Sequence, residues 1–369
     1  MTGMGLSFRT QKLRAVLTSH NNSLSRYAQS RRGISMKTNN TTIEDRIQYF
    51  EKNYNILVDV NLVGDKSHTI RIDGLRKCRF CERNEGEVTF KKEAHAFSEL
   101  IGNRTLLTNY ECDSCNEHFS KYLENHLANY LGPARTFTLT KGKTGVPSYK
   151  TADESSRVDV KSGEIVVQTM ADQPMFVEDE KNKLITFHAT KPTYVPVAVY
   201  KTLVKMALSI LPENEMDAFK TTAKWLLSTD HSKVFMRPCP MNFSFTNGLK
   251  PHPFIKAMVF KVKDLSLDVP FMQFFIAFDN FTFQITIPTE QDLRLQGKTA
   301  TIQAFPSIHE VSDTENETKH ALADMSDWNP VKGSKVEVQL AYEKKRCPNS
   351  NPGATAHNSR YVMRHFCPS

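Results

Sequence analysis

The chain has 369 residues, of which 24% are charged and 39% hydrophobic, and its formal net charge is +8. This length allows two domains with hydrophobic cores of ordinary size, and the composition is that of a globular protein rather than a disordered one. The most hydrophobic segment, 271–278, is too short to span a bilayer. We therefore expect no membrane partner and a cytoplasmic location.

The basic charge is concentrated at the N-terminus. Seven basic residues and no acidic residue lie within the first 43 positions, and the remaining charges nearly balance. The net charge is therefore weak support for a nucleic-acid partner. Residues 1–41 are predicted to be a disordered basic extension, although acid-free segments rich in Arg and Ser also resemble mitochondrial targeting sequences. Both interpretations stay open.

The segment that follows has the pattern of a helix and then of β-strands. Thr42-Ile-Glu-Asp resembles a capping box and predicts a helix that continues to about Tyr54. Residues 55–62 alternate as in a strand, and a second β-rich run follows at 69–72 after a Gly-Asp-Lys turn. We predict that these two runs pair as a hairpin.

Two Cys-x-x-Cys pairs come next, Cys78 with Cys81 and Cys112 with Cys115. Two such pairs can hold one Zn²⁺ tetrahedrally, and a site closed by four thiolates leaves no position for water. Disulfides are disfavoured because the total of seven cysteines is odd and no secretory signal is evident. The spacing therefore predicts a structural zinc that joins two distant parts of the chain.

The stretch between and after the cysteine pairs predicts strand, histidine, strand and helix in that order. The strands are predicted at 87–90 and 105–110, with His95 between them. The amphipathic helix is predicted to have Asp113 or Ser114 as its N-cap and to end at Gly132-Pro133.

This order of motifs resembles the HNH endonuclease family, in the subgroup where a structural zinc ties the β-hairpin to the helix of a ββα-metal fold. The matching positions, which cover about one seventh of the chain, are Cys78, Cys81, 94–99 around His95, Gly102-Asn103, and Cys112 to Asn116. More loosely, the chain resembles uncharacterised bacterial proteins that carry such a domain at the N-terminal end. The resemblance implies hydrolysis of DNA phosphodiester bonds with Mg²⁺ or Mn²⁺ as the catalytic metal, and a role in defence against foreign DNA.

The resemblance also implies roles for individual residues. His95 would be the general base that takes a proton from water, a role that suits an imidazole with an ordinary pKa of about 6.5. Asn116 matches the helix asparagine, which binds the catalytic ion or orients the base; capping of the helix start is its alternative role. The middle asparagine of the family motif is Asn103 or Asn109, and we prefer Asn103 because it follows Gly102 in a turn.

One position departs from the family pattern. In many HNH enzymes the residue before the base is an acid that binds the metal, but this chain has Ala94 there. Glu93 is one position earlier and would point to the opposite face if the strand continues. The candidate ligands of the catalytic ion are therefore Asn116 and Glu93, with Glu99, Asn103 and His118 as alternatives. The missing acid also favours a second interpretation, a zinc-stapled module that binds nucleic acid or protein after loss of catalysis.

The predicted fold class is α+β, with a ββα-metal domain followed by a strand-rich α+β domain. We expect the HNH nuclease domain at 42–150, with its leading helix and hairpin, an accessory domain at 151–342 and a disordered tail at 343–369. A basic linker at 140–145 is expected to connect the domains. The accessory domain would hold the target, bind a protein partner or form a homodimer.

Two helices, 197–211 and 213–227, and several strands are predicted in the accessory domain. Lys201 and Lys205, one turn apart on the first helix, are predicted to face solvent, with phosphate contact as the alternative. Six phenylalanines in the run 271–283 are predicted to be core residues, because no Arg or Lys is interleaved among them as in a base-stacking surface.

Overall fold

The computed structural model describes the following parts of the chain: residues 35–37, 41–64, 67–74, 76–161, 164–170, 175–248, 250–306, 310, 318–341 and 358–364. Of residues 35–37, 164, 169–170 and 358–364 only the backbone is described. Most of the predicted N-terminal extension and most of the predicted C-terminal tail lie outside the described residues.

The helices of the described residues follow the predicted order. The α-helices are α1 (Ile43–Asn53), α2 (Asp113–Phe119), α3 (Asn125–Leu131), α4 (Ala134–Phe137), α5 (Pro196–Ile210) and α6 (Lys220–Leu226). A π-helical segment, Ser120–Glu124, joins α2 to α3, and 3₁₀ helices lie at Glu99–Ile101, Glu213–Phe219 and Glu290–Leu295. None of the helices in this part of the chain is long and apolar enough to cross a membrane.

Strands outnumber helices, so the structure is mixed α+β and strand-rich, as predicted. They are β1 (Ser35–Lys37), β2 (Tyr54–Leu62), β3 (His68–Ile70), β4 (Ala94–His95), β5 (Leu106–Thr108), β6 (Tyr149–Lys150), β7 (Ser156–Lys161), β8 (Glu164–Met170), β9 (Phe176–Asp179), β10 (Leu184–Thr190), β11 (Pro240–Thr246), β12 (His252–Val262), β13 (Met272–Asp279), β14 (Phe281–Thr286), β15 (Thr299–Thr301), β16 (Thr318–Asp324), β17 (Lys335–Ala341) and β18 (Asn358–Arg364).

The largest sheet is antiparallel and has six strands in the order β16-β11-β14-β13-β12-β2. Its central hairpin turns at Asp279-Asn280, as predicted, with Phe278 opposite Phe281. Asp279 adopts a left-handed conformation with φ of 46°, which suits a tight hairpin turn. The six phenylalanines of the run 271–283 are all buried, which confirms that they belong to the core.

The predicted hairpin of residues 55–72 is wrong. β2 pairs with β12 at the edge of the six-stranded sheet, with Val58 opposite Val259. β3 pairs in parallel with β5, and β5 pairs with β4, which gives a three-stranded sheet beside the cysteines. Both runs are strands, but their partners are distant in sequence and no local pattern specifies such partners.

The smaller sheets surround this core. They have the strand orders β17-β10-β9, β18-β8-β7-β6 and β1-β15. β18 pairs antiparallel with β8 along seven residues, 358–364. The expectation of a disordered tail therefore does not hold for these seven residues.

Helix α5 crosses the centre of the molecule and is buried along its whole length. The hydroxyl of Tyr200 donates to the carbonyl oxygen of Thr286 at 2.5 Å, which places α5 against β14. Lys201 and Lys205 are 0% and 2% exposed, so the prediction that they face solvent is wrong. The local sequence does not show that these lysines are buried, because α5 is covered by segments that lie more than 20 residues before and after it in the chain.

Candidate functional site

The four predicted zinc ligands come together. The sulfur atoms of Cys78, Cys81, Cys112 and Cys115 all lie within 4.8 Å of one another. Cys78 Sγ is 3.7 Å from Cys115 Sγ, and Cys81 Sγ is 3.8 Å from Cys112 Sγ. Four thiolates around zinc, with Zn–S bonds of about 2.3 Å, have sulfur atoms about 3.8 Å apart. The cluster could therefore hold a zinc ion.

Local backbone structure presents these sulfur atoms. The first pair sits in a tight turn in which the Glu82 amide donates to the carbonyl oxygen of Cys78 at 2.9 Å. Cys112 is the N-cap of α2, so the prediction of Asp113 or Ser114 as N-cap is wrong by one or two residues. The rings of Phe80 and Phe119 pack with centroids 4.7 Å apart and hold the turn against the helix.

The Asp113 side chain binds the segment before β4 instead of capping the helix. Its carboxylate accepts hydrogen bonds from the Thr89 hydroxyl at 2.5 Å and from the backbone amides of Lys91 and Lys92 at 3.1 and 2.8 Å. These bonds fix the segment that enters β4 against the first turn of α2. His95 lies at the end of that segment.

His95 lies in β4 and its imidazole is half-buried. Burial lowers the pKa of His95 below its ordinary value of 6.5, and the charge of Lys205 also lowers it. The carboxylates of Glu99, Glu93 and Glu124 act in the opposite direction and raise the pKa. Since the net direction is down, the imidazole is neutral at pH 7 and able to accept a proton.

Asn103 closes the loop that follows His95. Its amide nitrogen donates to the carbonyl oxygens of Phe97 and Leu106 at 2.8 and 3.1 Å, and its amide oxygen accepts from the amides of Thr105 and Leu106 at 3.2 and 3.0 Å. Both donors and both acceptor positions of the side chain are thus used. Asn103 is 1% exposed, so it supports the loop from inside rather than facing a substrate.

Residues 78–131 match the family model of the HNH endonucleases. They form an HNH endonuclease domain. The match contains the four cysteines, His95, Asn103 and Asn116, and supports a nuclease-type function. No curated protein and no solved structure matches the chain.

The other predicted ligands occupy different places in the HNH domain. Asn116 is half-buried in the first turn of α2, and its backbone amide donates to the carbonyl oxygen of Cys112. Glu93 is exposed, whereas Ala94 is 1% exposed, so the chain alternates here as in a strand. His118 has its Nε2 atom 3.2 Å from the carbonyl oxygen of Leu226, which directs it to α6.

Asn109, the alternative middle asparagine, also has a structural role. Its amide oxygen accepts from the Ile72 amide at 2.9 Å, and its amide nitrogen donates to the Ile72 carbonyl oxygen at 3.1 Å. These two bonds attach the end of the β3 segment to the HNH domain. Asn103 and Asn109 therefore tie different pieces of backbone to the same sheet.

Sequence reasoning missed Glu124. Its carboxylate accepts a hydrogen bond from the Ser98 hydroxyl at 2.7 Å, and its charge acts on His95. In a regular α-helix, the residue two turns after Asn116 on the same face would be residue 123. The π-helical segment Ser120–Glu124 has about one more residue per turn, which shifts this position by one residue. This places Glu124 on the same helix face as Asn116. The wider turn leaves no clear mark in the sequence.

Sequence reasoning also missed Glu111, and it wrongly placed its partner Lys205 on a solvent-facing side of α5. The Lys205 Nζ atom lies 2.9 Å from Glu111 Oε2, and the two side chains are 3% and 0% exposed. The same ammonium donates to the carbonyl oxygen of His95 at 2.8 Å. Burial raises the pKa of Glu111 to about 7, although Lys205 opposes this change. The position of Glu111 directly before the second cysteine pair could have marked it as a candidate site residue. Its partner Lys205 could not be predicted, because it lies in α5, far away in sequence.

Proposed function

We propose that this chain is a metal-dependent endonuclease that hydrolyses DNA phosphodiester bonds at a centre built around His95 and, by the same family resemblance, acts in defence against foreign DNA. The supporting observation is the state and place of His95. Its imidazole has a pKa below 6.5, and His95 lies in β4, directly after the segment that Asp113 fixes to the first turn of α2. The four-cysteine zinc would be structural and would hold the ββα-metal scaffold together.

In the proposed reaction His95 accepts a proton from a water molecule, and the resulting hydroxide forms a bond to the phosphorus. The bond from the phosphorus to one ester oxygen breaks, and this leaving oxygen takes up a proton from solvent water. The pairing of β4 with β5 orients the imidazole. The half-buried environment keeps it unprotonated at neutral pH. Asn103 contributes by fixing the loop after His95, without contact to the substrate.

Acidic residues near His95 could supply ligands for a divalent cation such as Mg²⁺ or Mn²⁺. Among the described residues, the four cysteines are the only group of three or more His, Cys, Asp or Glu side chains that converges for a metal. Glu93, Glu99 and Glu124 all act on His95 by their charge, and Asn116 shares a helix face with Glu124. Carboxylate and amide oxygens are the ligands that these hard cations prefer. We propose that Asn116 and one or more of these carboxylates hold the catalytic ion. When bound, this ion would neutralise charge on the phosphate oxygens.

Basic residues near the centre support a phosphodiester substrate. A cleft of about 200 Å³ is lined by Arg71, Arg76, Lys91 and Lys92 together with Glu93. Lys143 Nζ lies 3.5 Å from Glu99 Oε2, which brings the basic linker to the segment after His95. Basic side chains of this kind can contact the phosphates of a DNA backbone.

The test is cleavage of plasmid DNA by the zinc-loaded chain with added Mg²⁺ or Mn²⁺. His95→Ala should lower the cleavage rate by about 10²- to 10⁴-fold, the usual contribution of a general base, with zinc content unchanged. His126→Ala is the matched control, because His126 is also half-buried but accepts a hydrogen bond from the Val195 amide at 3.1 Å. Full activity of His95→Ala would disprove the proposal.

A second function is favoured by the residue before the base. Ala94 is buried where many HNH enzymes have a metal-binding acid. A module that binds DNA or protein without cutting would explain this residue. A wild-type chain that binds DNA but gives no nicking over a full titration of Mg²⁺ and Mn²⁺ would support this function and exclude the first.

A further inference from the structure

The ammonium group of Lys205 connects three distant parts of the chain. It donates to the carbonyl oxygen of His95 at 2.8 Å and lies 2.9 Å from Glu111 Oε2. It also lies 5.7 Å from the centre of the Phe119 ring, on α2. Lys205 itself belongs to α5, 110 residues from His95. One side chain thus contacts the base-bearing strand, the start of the second cysteine pair and the zinc-bearing helix.

This contact is made in the interior, where charged groups are costly. The Lys205 and Glu111 side chains are 3% and 0% exposed. Removal of two charges from water costs several kcal/mol each, and apolar residues of similar size are often as stable or more so. Stability alone therefore does not account for the pair. The pair holds the Lys205 ammonium in place as a hydrogen-bond donor to the carbonyl oxygen of His95.

Further contacts fix the position of α5 against the HNH domain. Arg79, inside the first Cys-x-x-Cys pair, donates from Nη1 to the carbonyl oxygens of Leu208 and Leu211 at 2.8 and 2.9 Å. The Tyr110 hydroxyl, just before the second pair, donates to the carbonyl oxygen of Ser209. Both cysteine pairs therefore hold the C-terminal end of α5, so Lys205 approaches His95 from a rigid support.

We propose that Lys205 is a positioning residue of the nuclease centre, which holds the backbone of His95 in place for catalysis. The inference rests on the proposed function, since it takes His95 as the base. Lys205 is buried and does not contact the substrate. It acts through the backbone of His95, to which its ammonium donates from α5.

Lys201 is a matched control on the same helix. It lies one turn before Lys205 and is 0% exposed. Its ammonium donates to the carbonyl oxygen of Ser228 at 3.0 Å and lies 4.9 Å from the Trp225 ring. Substitution of either lysine removes a buried charge and one hydrogen bond to a carbonyl oxygen. Only Lys205 makes that bond to His95.

The experiment compares Lys205→Met, Lys205→Arg and Lys201→Met in the full zinc-loaded chain. Hydrogen exchange is measured for the peptide 93–99, and steady-state cleavage of plasmid DNA gives kcat and KM. We expect faster exchange of this peptide and a kcat about 10- to 100-fold lower in Lys205→Met, with KM little changed, because small displacements of a catalytic group have effects of this size. Lys205→Arg should recover part of both, and Lys201→Met should resemble the wild type in both.

The outcomes separate the two proposals. Equal exchange at 93–99 and equal kcat in Lys205→Met and Lys201→Met would overturn the positioning role while the nuclease assignment stands. A wild-type chain that does not cleave overturns the nuclease assignment and with it this role. If Lys205→Met does not fold, the double variant Lys205→Met/Glu111→Met replaces it, because loss of both buried charges is tolerated better than loss of one. The same changes in exchange and kcat are then expected, and their absence overturns the role.

Discussion

Asn103 shows how one buried amide can organise the loop beside His95, the proposed general base. Its four hydrogen bonds join Phe97, Thr105 and Leu106, so both ends of the loop between β4 and β5 are held by a single side chain. Gly102 next to it has φ of 94°, a conformation that glycine adopts without strain. The Gly-Asn sequence thus predicts the turn. The burial of the Asn103 side chain depends on tertiary structure, because it bonds to Leu106 in β5.

We predict that Asn103→Ala destabilises the chain by about 2–4 kcal/mol, because buried carbonyl and amide groups lose their partners. Asn109→Ala is the control at residue scale, since the Asn109 side chain makes two hydrogen bonds, both to the backbone of Ile72, and is more exposed. Its effect should be roughly half as large. Urea unfolding curves measure both values, and equal midpoints for Asn103→Ala and the wild type would contradict the bonding seen at this loop.

At the scale of elements, the first cysteine turn caps helix α5. The guanidinium of Arg79 bonds the carbonyl oxygens of Leu208 and Leu211, pairs with Glu213 at 3.0 Å and stacks 3.9 Å from the centre of the Tyr110 ring. The last carbonyl groups of a helix lack partners within the helix and need them from outside. Here the first cysteine turn supplies them, so the turn and α5 stabilise each other.

Arg79→Met should therefore lower the free energy of unfolding by about 2–4 kcal/mol and speed the release of zinc. Arg79→Lys should recover little of this loss, because a single ammonium does not reproduce the planar fork of the guanidinium. Arg76→Met serves as the control: Arg76 is exposed and pairs with Glu85 at 3.8 Å, so its loss should change stability by less than about 1 kcal/mol. Thermal unfolding and zinc transfer to a chromogenic chelator measure these effects.

At the scale of the whole molecule, most of the buried apolar residues in the described parts of the chain form one continuous cluster. It contains Cys78 and Phe119 of the HNH domain, Leu203 of α5 and Phe274 of the six-stranded sheet. β2, which precedes the HNH domain, is also an edge strand of that sheet. Loss of order at the cysteines therefore removes support from elements far outside residues 78–131.

We predict that removal of zinc lowers the unfolding temperature of the whole chain, not of the HNH domain alone, since zinc binding and folding are coupled at such sites. Cys112→Ser should lose the ion and show the same shift. Cys239→Ala is the control, because Cys239 is 0% exposed but lies outside the cluster of four. Calorimetry with zinc analysis decides this, and an unchanged transition in Cys112→Ser would contradict the prediction.

The sequence by itself determined the features that depend on local spacing. Cys-x-x-Cys pairs place thiolates for a metal within one turn of chain, so the cluster could be predicted without knowledge of the fold. The capping box at Thr42, the helix at 196–210 and the hairpin turn at Asp279 are likewise local, and the structure confirms them. The family motif predicts His95 and Asn116 as site residues for the same reason, and their roles stay predictions.

The tertiary structure alone decided which distant segments meet. β2 finds its partner about 200 residues later, and the ammonium of Lys205 reaches the backbone of His95 across 110 residues. Local sequence does not encode such pairings, because each depends on which faces the rest of the chain covers. A lysine in an amphipathic pattern predicts a solvated face, yet α5 is enclosed on all sides. The burial of α5 brings the ammonium of Lys205 against the backbone of His95, so the tertiary structure decides this contact.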